Sequence, residues 1–195
     1  MISWRIYWLA GIWDADRGST AKGVVSIKNK CIDILTAFIV ISISKLGIKQ
    51  SKFKFRVVKG YGKAVEVYYT STYVRRIIEG IIANKEDLRG NEARAFLAGK
   101  IDGNGYVSDT KKEIYIGYGS GNLRDAQRDS SIVRNLSLKY SIRRSGNVIK
   151  LRLLNPRKVA PILLPFIIHP VKRMRLINLI SYPPSRGPSE RDPRP

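Results

Sequence analysis

The chain has 195 residues, enough for one sizeable domain or two small units sharing a core, and 44% of them are apolar, which excludes global disorder. Its 36 Lys and Arg against 15 Asp and Glu give a formal charge of +21, spread along the whole length, and such a surface suits a polyanionic partner such as nucleic acid. The single cysteine, Cys31, excludes an internal disulfide, and the single histidine, His169, excludes a zinc cluster and leaves Ser-His-acid chemistry without support. Cys31 reads as a buried small hydrophobe in the apolar window 31–43, which is too short to span a bilayer and carries Asp33. No charged leader precedes an apolar core of signal-peptide length, so the expected setting is intracellular and soluble, with no membrane.

Residues 4–15 read as a largely buried helix, and 22–28 alternate as a strand with Lys22, Ser26 and Lys28 on the polar side. Residues 31–46 form a second helix with Leu35, Phe38, Ile39, Ile43 and Leu46 along one face and Gly47 as its C-cap. A hairpin follows in which Lys52, Lys54 and Arg56 alternate with Phe53, Phe55 and Val57. It turns at 59–63, with Lys63 basic, and returns through Val65 and Val67. Residues 71–84 are helical behind a Ser71 or Thr72 cap, and 85–91 form a linker.

The order then repeats. A helix spans 92–102 behind Asn91, strands lie near 105–109 and 112–119, and 122–139 are helical with Leu123, Ala126, Val133 and Leu136 on one face. A hairpin at 140–154 sets Ile149, Leu151 and Leu153 against Lys150 and Arg152, and helices at about 156–167 and 170–181 start at prolines. Residues 183–195 hold five of the nine prolines and read as a disordered tail. The expected fold is therefore α+β: tandem αββαββα units at 1–84 and 92–182, each with an antiparallel sheet whose exposed face is basic.

Within this repeat, Leu9-Ala10-Gly11-Ile12-Trp13-Asp14-Ala15-Asp16 is echoed 88 residues later by Leu97-Ala98-Gly99-Lys100-Ile101-Asp102-Gly103-Asn104. Ala10-Gly11 and Ala98-Gly99 suit two helices packed backbone to backbone, which would bring Asp16 and Asn104 together. Oxygen donors at such a place suit Mg²⁺, which takes few protein ligands and fills its shell from water and phosphate.

These two stretches resemble the LAGLIDADG motif of the homing endonucleases, in the two-motif, single-chain form of the archaeal intron-encoded type. The resemblance extends from about Ser3 to Ser181. It implies a monomer whose two sheets form a saddle on a long, pseudo-palindromic double-stranded DNA target. It also implies site-specific phosphodiester hydrolysis with Mg²⁺, for which Mn²⁺ substitutes while Ca²⁺ is non-productive. Asp16 matches the metal-binding acid of the first motif and Asn104 stands in its place in the second. Asp14 and Asp102 match the earlier acid, which helps the turn. A basic residue near the scissile phosphate is expected, for which Lys172 and Lys85 are the candidates. DNA contacts are expected from Lys22, Ser26, Lys28, Lys52, Lys54, Arg56, Lys63, Tyr115, Arg143, Lys150 and Arg152. The implied setting is the cytoplasm of a prokaryote.

The second motif departs from the pattern at Lys100, where an apolar residue is usual and which is expected to face solvent or DNA. It also departs at Asn104, whose amide brings no negative charge. Asn104 leaves open a substitution that traps an uncleaved complex, a slower or nicking enzyme, and a decayed nuclease. The alternative function is a catalytically inactive DNA-binding protein or an intron RNA maturase of the same fold.

Overall fold

The structure, a computed structural model, describes residues 3–18, 21–58, 62 and 64–181. Lys63 and the proline-rich tail lie outside these residues. The first unit runs α1 (Trp4–Asp16), β1 (Val24–Asn29), α2 (Ile32–Leu46), β2 (Lys54–Val57), β3 (Val65–Thr70) and α3 (Thr72–Ala83). The second runs α4 (Gly90–Asn104), β4 (Gly105–Ser108), β5 (Glu113–Gly119), α5 (Leu123–Asn135), β6 (Tyr140–Ser145), β7 (Val148–Leu153), α6 (Pro156–Leu163) and α7 (Pro170–Ser181).

Local chemistry sets the ends. The Ser71 hydroxyl accepts from the Val74 amide at 3.3 Å and caps α3, while Gly47 ends α2 in the left-handed region at φ 67°. α4 opens two residues earlier than its polarity suggests, with Arg89 rather than Asn91 at its N-cap.

Both sheets are antiparallel, ordered β1-β3-β2 and β4-β5-β7-β6. Their pairings correspond: Ile27 faces Val67, which faces Phe55, and Ile116 faces Leu151, which faces Ile142. The counterpart of β4 in the first unit is reduced, among the described residues, to one bridge between Arg17 and Ile27 and a bond from the Gly18 amide to the Ser26 carbonyl at 3.3 Å. β2 is an edge strand, and its inward-parity residues Phe55 and Val57 stay 60% and 74% exposed.

One continuous apolar core joins the units. In α2 the buried stripe is Ile34, Leu35, Phe38 and Ile41, and Ile43, expected inside, is exposed. The helix is apolar nearly all round, so its periodicity does not fix which side faces inward. Leu123, expected on the inner face of α5, is likewise exposed, in that helix's first turn.

At the centre α1 packs directly on α4. A β-carbon added to Gly11 would overlap the Phe96 carbonyl oxygen, and one added to Gly99 would overlap the Trp8 carbonyl oxygen. The two contacts are reciprocal, because Trp8 and Phe96 occupy equivalent places in the repeat. Gly11→Ala and Gly99→Ala are each expected to cost about 1–3 kcal/mol through overpacking, read as a lowered midpoint in urea unfolding.

Candidate active site

The close helix contact delivers the C-terminal ends of α1 and α4 to the seam between the sheets. Asp16 closes α1 half-buried, its Oδ2 accepting from the Asn29 side-chain amide at 2.6 Å. The Asn29 amide oxygen in turn accepts from the Cys31 backbone N–H at 2.8 Å, which fixes the orientation of the donor. Cys31 itself is half-buried, not buried, as the N-cap residue of α2. Burial pushes the Asp16 carboxyl up to about 6, against the opposing pull of Asn29, Lys172, Lys100 and Lys28.

Asn104, exposed at the end of α4, donates its Nδ2 to the Ala15 carbonyl at 2.9 Å, so its side chain bridges the two motifs. A β-carbon on Gly103 would lie 3.2 Å from Asp16 Oδ1, so the missing side chain keeps the two helix ends close. Asp16 and Asn104 share the wall of a cleft of about 440 Å³ with Arg17, Lys28, Asn29 and Lys30. Cations outnumber the carboxylate among the side chains that line it, and the cleft is large enough for a phosphate with water.

The earlier motif acids are fastening points. Asp102 accepts from Trp8 Nε1 at 2.9 Å and from the Ile168 and His169 amides at 2.8 and 3.2 Å, fixing the start of α7. Burial raises its carboxyl to about 6. Asp14 meets Lys100 at 2.9 Å and Lys85 at 3.1 Å, and both lysines also pair with Asp129, at 3.1 and 2.5 Å. The Tyr118 hydroxyl donates to Asp129 at 2.6 Å. Burial raises the Asp14 carboxyl, but Lys100 and Lys85 more than offset it and the net direction is down. Burial similarly opposes the Lys100 charge, and Asp129 and Asp14 outweigh it, holding its ammonium above the usual lysine range.

Two expectations therefore change. Lys100 faces neither solvent nor DNA: it is 4% exposed inside this four-charge cluster. Lys85, a candidate for the scissile phosphate, is 1% exposed in the same cluster and does not line the cleft. Two buried ammonium groups are tolerable only because two carboxylates surround them. Lys172 donates to the Ile101 and Asp102 carbonyls at 2.6 and 2.8 Å and caps the C-terminus of α4, within the field of Asp16. Burial holds its ammonium below the usual lysine range.

Strand pairing puts Lys28, Lys54 and Arg56 on one face of the first sheet, and Tyr115, Arg143, Lys150 and Arg152 on one face of the second. Lys22 and Lys52 are exposed beside them, in the turn before β1 and a 3₁₀ turn before β2. Ser26 has the same parity but is fully buried, because the Gly18 backbone and Glu66 cover it. It is therefore closed to a ligand approaching this face.

Both faces hold an arginine against a glutamate: Arg56 meets Glu66 at 2.5 Å and Arg152 meets Glu113 at 3.3 Å. Lys150 lies 4.7 Å over the Tyr115 ring, which stacks on Tyr106 at 5.0 Å. Sequence reasoning passed over Asn29, Lys30, Glu66 and Tyr106. For Asn29 a signal was present, since a polar residue at core parity at the end of a strand asks for a buried partner.

No family model and no curated protein matches the chain. Solved structures do. I-DmoI in complex with DNA and Ca superposes with a TM-score of 0.69 at 19% identity, covering 90% of this chain and 98% of that one. The LAGLIDADG homing-endonuclease fold is this chain's fold. I-DmoI with DNA and Mn gives a TM-score of 0.63 at 20% identity over 82% of this chain and 94% of that one. The N-terminal LAGLIDADG domain of DUF199/WhiA gives 0.59 at 11% identity over 84% and 80%.

In the LAGLIDADG fold of this chain, among the described residues, no three His, Cys, Asp or Glu side chains gather as a metal-holding group. No described helix is long and apolar enough to cross a membrane. Lys85→Ala would strand buried carboxylates and is expected to cost about 3–5 kcal/mol in chemical denaturation. Any loss of cleavage should be no more than the loss of folded protein explains.

Proposed function

We propose that the chain is a site-specific, divalent-metal-dependent endonuclease that acts as a monomer on double-stranded DNA. The observation that carries this reading is the placement of Asp16 on the seam between two basic sheet faces, in a cleft furnished with Lys28, Lys30 and Arg17. One carboxylate and one amide oxygen, Asp16 and Asn104, do not make a protein-only cage. They do fit Mg²⁺, which commonly binds through one or two carboxylates and takes its other ligands from water and a substrate phosphate. Mg²⁺ held there would offset phosphate charge and acidify water for hydrolysis, with Mn²⁺ able to replace it and Ca²⁺ supporting binding without cutting.

The protein's own groups divide the remaining work. Asn29 holds the Asp16 carboxylate in place. Lys28, Lys30 and Arg17 draw the scissile phosphate into the cleft, and the sheet faces hold the flanking duplex. Arg56, Arg143 and Arg152 are suited to guanine edges, and the lysines to phosphates. Lys172 holds the end of α4, and with it Asn104, in position.

Cleavage needs Asp16 ionised. Because burial sets the metal-free carboxyl at about 6 and a bound cation competes with its proton, activity at sub-saturating metal should rise as pH increases through 6 and level off above it, and saturating metal should move that rise to lower pH. With a duplex selected from a randomised pool, Asp16→Ala is expected to lower the cleavage rate by about 100-fold or more. DNA binding should be retained and should weaken steeply with salt. Asn104→Asp is expected to cut at least as fast as the present chain.

A non-cleaving DNA-binding protein or an intron RNA maturase is the second reading, and the uncharged Asn104 is the observation that favours it. Salt-sensitive binding with no metal-dependent product, from this chain and from Asn104→Asp alike, would decide for it.

A further inference from the structure

The two halves can be aligned through their own strand pairing. Arg17 bridges Ile27 as Gly105 pairs with Ile116, so the residues of β1 correspond to those 89 positions on in β5. The cleft around Asp16 can then be set beside its counterpart. Asp16 corresponds to Asn104 and Arg17 to Gly105. Lys28, Asn29 and Lys30 correspond to Gly117, Tyr118 and Gly119. Tyr118 offers nothing there, since its hydroxyl is bound to buried Asp129. The second half therefore lacks the carboxylate, all three cations and the orienting amide of the first. Lys172 is the cation next to the end of α4, and its ammonium is taken up by backbone carbonyls.

Packing accounts for only part of this bareness. Gly105 is required, because a β-carbon there would run into the Ile101 backbone. Gly117 and Gly119 are not. Neither has a positive φ, and added β-carbons would meet their nearest atoms at 3.6 and 3.8 Å, ordinary contact distances. Side chains as long as lysine would start without obstruction at both places.

We infer that this chain is a strand-selective nicking enzyme with one working centre, at Asp16, and a second half that binds its half of the duplex without cutting. The inference rests on the nuclease reading above and specifies which strand is hydrolysed, the one whose phosphate enters the cleft of Lys28, Asn29 and Lys30.

The test uses the full chain with a duplex selected from a randomised pool, the two strands carrying different labels. One strand should be cut about 100-fold faster than the other or more. The complex should take up a single Mn²⁺ per chain by electron paramagnetic resonance titration. Asp16→Asn should lose both that ion and the nick. Equal cutting of both strands, or two ions bound per chain, overturns the inference and leaves the nuclease reading standing. No cut strand from this chain or from Asn104→Asp overturns the nuclease reading, and this inference with it.

Discussion

The backbone contact between α1 and α4, with Gly11 against the Phe96 carbonyl and Gly99 against the Trp8 carbonyl, determines where every functional group in the molecule can be. Because the contact is reciprocal, it imposes a twofold relation on the two units, and the sheets that follow each helix inherit it. Because it is so close, the helix ends emerge within hydrogen-bonding distance, as the Asn104 bond to the Ala15 carbonyl shows. A wider interface built on larger side chains would leave the same strands and the same basic faces but separate the groups at the seam. The small residues thus act on function through distance alone.

The second constraint is electrostatic. A chain with a formal charge of +21 repels itself when folded. The described ion pairs place Asp14 and Asp129 around buried lysines and Glu66 and Glu113 against arginines on the sheet faces. Carboxylates are thus spent on holding cations in place. A polyanion approaching the saddle meets lysines and arginines at the surface, and Arg56 and Arg152 are already oriented before it arrives. Preorganised cations cost less to bring to a base edge or a phosphate than flexible ones. Asp16 is different: its partner is a neutral amide, so its charge is not consumed by a salt bridge.

Much of this was legible in the sequence, and what was not has a common cause. The motif helices, the hairpins, the caps at Gly47 and Ser71 and the parity of the basic faces depend on residues within a few positions of one another. The burial of Lys85 and Lys100 was not legible because the carboxylates that neutralise them, Asp14 and Asp129, are remote in sequence, Asp14 lying 71 and 86 residues away. No local pattern separates a lysine in a buried ion cluster from one in water. The side of α2 that faces inward was unreadable for another reason, since Ile32, Val40 and Ile43 are as apolar as the residues that are buried. Ser26 has the right parity for a saddle contact but is closed off by the segment at Gly18, which belongs to a different part of the fold.

Joining two units in one chain removes the requirement that they match. In a symmetric dimer one sequence furnishes both sites, so a change at one seam is a change at the other. Here the halves have already diverged in the core: Asp14 is held by buried lysines, whereas its equivalent, Asp102, is held by backbone amides and the Trp8 indole. Lys100 in the second motif corresponds to the fully buried Ile12 in the first. Such exchanges leave the closest helix contact untouched, because Gly11 and Gly99 face the partner backbone in both units. The same freedom extends to the seam, where the strand positions of Lys28 and Gly117 lie on the sheet faces turned away from the core. Symmetry is therefore enforced at the helix pair and relaxed at the surface, which is the condition under which one half can keep its chemistry while the other keeps only its grip.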